Sequence, residues 1–179
     1  MTSYVALLRG VNVGGRQQVP MAELRAMLGS LGHTDVTTYL NSGNAVFSNA
    51  RDDVDGLARE IEERIERDLG IGVTVILRTG SQLAAAIDAN PYPAATADPK
   101  TLHVGFMSAA PDPERLSGID QGGFGPDEST LGDGVVYLHY PNGAGRSKLT
   151  TDVLERRLGV RITARNWNTV TKLLDLLSD

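Results

Sequence analysis

Cysteine is absent from all 179 residues, which excludes disulfides, thiolate zinc sites and cysteine nucleophiles. No apolar run approaches the roughly 20 residues that a membrane-crossing helix requires. The apolar stretch near Met1 is shorter than a signal-peptide core and has no basic residues before it. A cytoplasmic globular protein is expected. Paired aromatics with basic neighbours on central strands, the mark of a sheet that reads RNA, are also missing, because Tyr137 and Tyr140 fall on opposite faces of their strand. Net positive charge is lacking too: the balance is −5, which argues against bulk nucleic-acid binding.

Several chemical signatures are absent as well. A phosphate-binding P-loop needs G-x-x-x-x-G-K-[ST], and counting from Gly143 puts Lys148 where the second glycine belongs. The first glycine-rich loop is not G-x-G-x-x-G, so a dinucleotide fingerprint is unsupported. His103 and His139 lie on strands expected to be antiparallel neighbours and could meet on one face. No carboxylate spacing completes a metal triad around them, so no metal or other cofactor is expected. The acidic residues between Asp52 and Asp68 read as the solvated face of a helix, and no Ser-His-Asp arrangement can be argued.

What is present is an ordered series of elements. Ser3–Gly10 is a short apolar run closed by glycine and reads as a buried strand. Pro20 opens a helix with Met21, Leu24, Met27, Leu28 and Leu31 at helical spacing, stopped by Gly32. Two β-rich runs flank Asn41-Ser42-Gly43-Asn44, a hairpin signal. Residues 53–69 form a helix with Val54, Leu57, Ile61, Ile65 and Leu69 on one side, and "GVTVILR" is a further strand. The order β-α-β-β-α-β is the ferredoxin-like arrangement. A helix over Ser81–Ala89 follows. The second half repeats the order: a strand in "TLHVGFMSA", a short helix over "DPERLSGI", a hairpin turning at Gly132–Gly134, a helix in "SKLTTDVLERRLG" and a strand in "VRITAR". A closing helix, "NTVTKLLDLL", ends the pattern. Arg78, Leu83 and Ile87 align with Arg165, Val170 and Leu174 at one constant offset, and both long helices end in Leu-Gly. The fold expected is therefore α+β: two tandem ferredoxin-like halves with antiparallel sheets, arising by internal duplication. The halves are residues 1–90 and 101–179, joined by a proline-rich linker over 91–100.

Charge is distributed unevenly. Between Pro141 and Lys172 seven basic residues face only Asp152 and Glu155, leaving +5 there and −10 elsewhere. A basic site on an acidic body follows. Within this segment, "PNGAGRSKLT" runs from a strand through Asn142, Gly143 and Gly145 to a helix expected to start near Ser147. Free N–H groups at such a terminus favour an anion. Arg146 could grip two phosphate oxygens while Lys148 adds a point charge. The alternative is a simple turn with Ser147 as the helix cap. A second polar cluster, Arg165, Asn166, Asn168 and Thr169, surrounds the only tryptophan, Trp167. Ligand hydrogen bonding and a capping network both account for it. The third cluster is Arg9, Asn12, Gly14 and Gly15, where successive glycines could form an anion nest.

Four stretches, "YVALLRGVNVGG…VPMAELRAML", "TYLNSGNAVF", "YLHYPNGAGRSKL" and "TARNWNTVTKL", together resemble the bacterial domain-of-unknown-function family numbered 1697, from Tyr4 to about Leu174. Members usually show "GIN" where this chain has "GVN", and commonly a Gln where Asn41 stands. The resemblance implies an α+β fold with ferredoxin-like halves and no established activity. Its signature stretches coincide with the polar loops just described, together with Ser42, Gly43 and Asn44. Loops of that kind commonly carry binding residues.

The expectation is an anion pocket for a nucleotide, a phosphorylated metabolite or a short RNA, held by Arg146, Ser147 and Lys148. Arg165 and Asn166 would lie alongside, and Arg9 to Asn12 would close from the first half. One alternative is a phosphoryl- or acyl-transfer enzyme with His139 as the only candidate base nearby. Another is a module that dimerises or docks a protein, as a monomer or homodimer without a small ligand.

Overall fold

A computed structural model describes residues 1–116 and 123–178. By contacts the chain forms two compact units. One comprises Met1–Ala84 with the chain from Lys172 on, and the other is Ala85–Thr171.

The first unit holds β1 (Thr2–Leu8), α1 (Met21–Ser30), β2 (Thr34–Thr38), β3 (Asn44–Asn49), α2 (Val54–Leu69) and β4 (Val75–Thr79). All pairings are antiparallel, in the order β2-β3-β1-β4. Side chains alternate across a strand. Tyr4, Ala6 and Leu8 of β1 therefore share a core with Leu24 and Leu28 of α1 and with Leu57, Ile61 and Ile65 of α2. Val5 and Leu7 are equally buried on the other face. The helical stripe on α2 forms as the sequence spacing predicts. Asp53 caps that helix by accepting from the Gly56 N–H at 3.0 Å, and Gly70 ends it at φ 71°. At the edge, β2 pairs irregularly: its register shifts between Thr34 and Thr37, where Asp35 takes φ 54°.

The second unit repeats the plan with β5 (Leu102–Met107), α4 (Pro113–Leu116), β6 (Glu128–Leu131), β7 (Val135–His139), α5 (Thr151–Leu158) and β8 (Ile162–Asn166). Its order, β6-β7-β5-β8, is the same circuit. The duplication extends to details. Gly159 ends α5 at φ 71°, as Gly70 ends α2. In each half a glutamate of the long helix, Glu62 or Glu155, accepts from the first N–H of the last strand. Arg78 and Arg165 each donate to the carbonyl of the preceding residue. Two further helices, α3 (Gly80–Asp88) and α6 (Trp167–Ser178), follow the last strands of the two halves. Residues 91–100, read as a linker, contain the short 3-10 turn Pro93–Ala97 and the start of a second, Pro99–Thr101.

Two expectations change. The helix in "SKLTTDVLERRLG" starts at Thr151, not near Ser147, because Thr150 accepts from the Val153 N–H and acts as the cap. His103 and His139 do not pair. His103 lies opposite Leu138 and His139 opposite Leu102, so one step of register puts them on opposite faces. Of the short helix expected over residues 112–119, Pro113–Leu116 is helical and residues 117–119 lie outside the described residues.

Two contacts in the first unit generate predictions. Gly43 has φ 81°, and a Cβ there would sit 2.6 Å from Val11 Cγ2 and 2.7 Å from Leu8 Cβ. Those atoms are fixed by the core, so Gly43→Ala combines backbone strain with a clash. It is expected to cost about 2–4 kcal/mol in urea-melt stability.

His33 is buried against Phe47, with ring centroids 4.1 Å apart. The Arg51 N–H donates to Asn49 Oδ1, which turns the Asn49 amide N–H toward His33 Nδ1. Nδ1 is thus an acceptor and the proton sits on Nε2. Burial lowers the His33 pKa from 6.5, with Glu60 opposing and Arg51 assisting. His103 is lowered by burial as well. The folded state then binds fewer protons than the unfolded chain just below pH 6.5, so stability rises with pH across that window and falls on acidification. Urea melts from about pH 7.5 to about pH 5 are expected to show this slope, reduced but not abolished by His33→Gln.

Candidate functional site

The glycine loop after β7 is built by core anchoring at both ends. Tyr140 and Leu149 are buried in the second unit's core, and the Tyr140 hydroxyl donates to the Leu149 carbonyl at 2.8 Å. Burial, and secondarily the Asp127 charge, push the Tyr140 pKa up to about 12, so this donor stays protonated at neutral pH. Between the anchors the Gly143 N–H donates to the Tyr140 carbonyl and the Ser147 N–H to the Ala144 carbonyl. Gly143 takes φ 88°, which explains the glycine of the Asn-Gly pair.

The loop walls a cavity of about 520 Å³. Its lining comes from two segments, residues 123–127 and the group Asn142, Gly143, Arg146, Ser147 and Lys148. Five residues singled out from sequence thus meet at one place. Arg146 and Lys148 are exposed, and neither forms an ion pair with a described residue. Sequence reasoning missed Asp127, which is buried at 9% exposure. Its Oδ2 accepts from the Ser147 hydroxyl at 2.5 Å, and Ser147 Oγ in turn accepts from the Leu149 N–H at 3.0 Å. The only sequence signal at Asp127 is the Pro-Asp pair, which marks a turn. Phe124, also on the wall, lies beneath the Arg157 guanidinium, 5.0 Å from the ring centroid.

A helix terminus does not contribute, since α5 begins beyond the loop. What the cavity offers is two cations, backbone and side-chain amides, and one carboxylate. The other predicted residues lie elsewhere. Gly145 belongs to the loop but is not part of the lining. Arg165 donates to Thr163 Oγ1 at 2.7 Å and to the Ala164 carbonyl at 2.9 Å, and burial of its guanidinium lowers the pKa to about 10. It remains a cation at neutral pH. Asn166 accepts from the Thr169 N–H and caps α6, Trp167 is half-buried, and Asn168 is exposed. His139 stacks on Tyr92 with centroids 5.4 Å apart and is not in the lining.

Arg9, Asn12, Gly14 and Gly15 belong to the first unit. Asn12 carries a loop on its own side chain. It donates to the Val19 and Asn41 carbonyls and accepts from the Val19 N–H, all within 2.8–2.9 Å. Gly14 and Gly15 make the exposed turn at positive φ. Asn44, wholly buried, donates to the Tyr39 carbonyl and Ser42 Oγ. The basic residues of the second half also scatter. Arg161 faces Glu155 at 3.8 Å, Arg156 donates to the Asp152 carbonyl, and Lys172 falls in the first unit.

The Asp127–Ser147 contact is the joint between the two segments of the lining. A double-mutant cycle with Asp127→Ala and Ser147→Ala is expected to return about 1.5–3 kcal/mol of coupling in urea melts, as for a hydrogen bond to a charged group. Coupling near zero would mean that the segments are independent.

No curated protein matches the chain. Among solved structures, a conserved bacterial protein from Streptococcus pneumoniae superposes with a TM-score of 0.73 at 23% identity, covering 98% of each chain. That likeness shows a common fold. Among the described residues no helix is long and apolar enough to cross a membrane. No group of three or more potential metal ligands is found among them either. The family model of DUF1697, proteins of unknown function, matches residues 1–137, and the chain belongs to that family.

Proposed function

We propose that this protein binds a small anionic ligand, a nucleotide or a phosphorylated metabolite, in the cavity beside the glycine loop after β7. The observation that carries the proposal is the placement of Arg146 and Lys148. Both are exposed cations without an ion-pair partner among the described residues, on the wall of a cavity within the size range of small-ligand sites. The loop that bears them is pinned at Tyr140 and Leu149, which limits the freedom it has to lose when a ligand binds. Arg146 supplies a planar fork and Lys148 a compact charge, a pairing suited to a phosphate monoester. The family model's match, residues 1–137, ends before this loop.

Calorimetric titration with ribose 5-phosphate and AMP tests the reading. The Arg146→Ala/Lys148→Ala variant is expected to lose about tenfold or more in affinity, a solvent-discounted figure for two charge-assisted contacts. Its melting temperature should be unchanged, because both side chains are exposed. Wild-type affinity in that variant would remove the proposal.

A further inference from the structure

The cavity that holds Arg146 and Lys148 also holds a carboxylate. Asp127 lines it together with those cations and is not ion-paired with either. One of its oxygens is engaged by Ser147. The other, Oδ1, accepts from no described residue and is not among the sealed, unpartnered polar atoms. The site is therefore bipolar: its lining carries two cations and a fixed hydrogen-bond acceptor.

A bare anion fits such a site poorly. Filling it with phosphate or pyrophosphate would bring negative charge toward a carboxylate that is largely withdrawn from solvent, where screening is weak. A ligand that places its anion on the cations and a hydroxyl on the carboxylate satisfies both, and the O–H···O⁻ bond is charge-assisted. We infer that Asp127 is a specificity-determining residue that selects a phosphate ester bearing hydroxyl groups, a sugar phosphate either free or as the ribose phosphate of a nucleotide. The inference rests on the anion-binding reading above. The Ser147 hydrogen bond fixes the carboxylate's orientation, and Leu149, whose N–H holds Ser147 Oγ, ties that pair to the core.

The test compares methyl phosphate, pyrophosphate, ribose 5-phosphate and AMP by calorimetry on the wild type and on Asp127→Asn. The amide keeps an oxygen for Ser147 while removing the charge. Wild type is expected to prefer ribose 5-phosphate over methyl phosphate by about tenfold or more. Asp127→Asn should bring the two within about threefold and strengthen pyrophosphate. AMP binding more tightly than ribose 5-phosphate assigns the nucleotide as the source of the sugar; equal or weaker binding assigns the free sugar phosphate. Equal wild-type affinities for methyl phosphate and ribose 5-phosphate would overturn the inference, and that measurement needs no variant. A short ribonucleotide oligomer that binds well above AMP would overturn it in favour of RNA. If no anion binds, or binding ignores Arg146→Ala/Lys148→Ala, the anion-binding reading itself fails. If anions bind through those cations without discrimination, only the role of Asp127 falls.

Discussion

The Tyr140 hydroxyl donates to the Leu149 carbonyl inside the second unit's core, closing the chain on itself across nine positions. Because both residues are held by packing, the segment between them must return to its starting point and cannot continue as helix from the strand end. α5 begins only after that return, capped by Thr150. The glycines make the bend, and Arg146 and Lys148 are left facing out on its rim. Without the phenol–carbonyl bond, the Leu149 carbonyl would be a buried acceptor without a donor, a condition that proteins rarely tolerate. The cavity is in this sense a by-product of satisfying a buried backbone group.

The two halves show what duplication preserves. Strand order, the positive-φ glycine after the long helix and the glutamate that reaches the last strand are common to both. These features close helix ends and cover strand ends, tasks any copy of the fold must perform. The connections differ. The first half places a helix of 10 residues, α1, between its first two strands, and the second has only 4 described helical residues there. The loop after β7 has its own anchors, and its counterpart after β3 leads directly to the Asp53 cap.

The fold was largely legible in the sequence because period and punctuation agree: apolar spacing, Leu-Gly stops and the glycine-bearing hairpin turns each mark what forms. The site was legible only in part. Asn142, Gly143, Arg146, Ser147 and Lys148 meet at the cavity because they are neighbours in the chain. Asp127 could not be found that way, since its partner Ser147 lies 20 positions on and the hairpin of β6 and β7 brings them together. That same contact misleads a local reading. Ser147 looks like a helix cap, but its hydroxyl is spent on Asp127, and the cap passes to Thr150. Asn12 and Asn44 teach a similar lesson. An asparagine in a glycine-rich loop reads as ligand-facing, whereas both hold backbone carbonyls. Residue type alone does not say which way an amide turns.

The irregular pairing of β2 bears on what its sheet offers to another strand. A straight outer strand presents a row of open N–H and C=O groups on which a second polypeptide can assemble, the first step toward aggregates. Here β2 ends its sheet, yet the left-handed turn at Asp35 and the shifted register beyond Thr34 interrupt the row. An incoming strand would find two short, misaligned stretches beside a carboxylate instead of a continuous template. A kink of one residue therefore works as a guard on the border of the sheet, and straightening it would trade a strained backbone for a sticky edge.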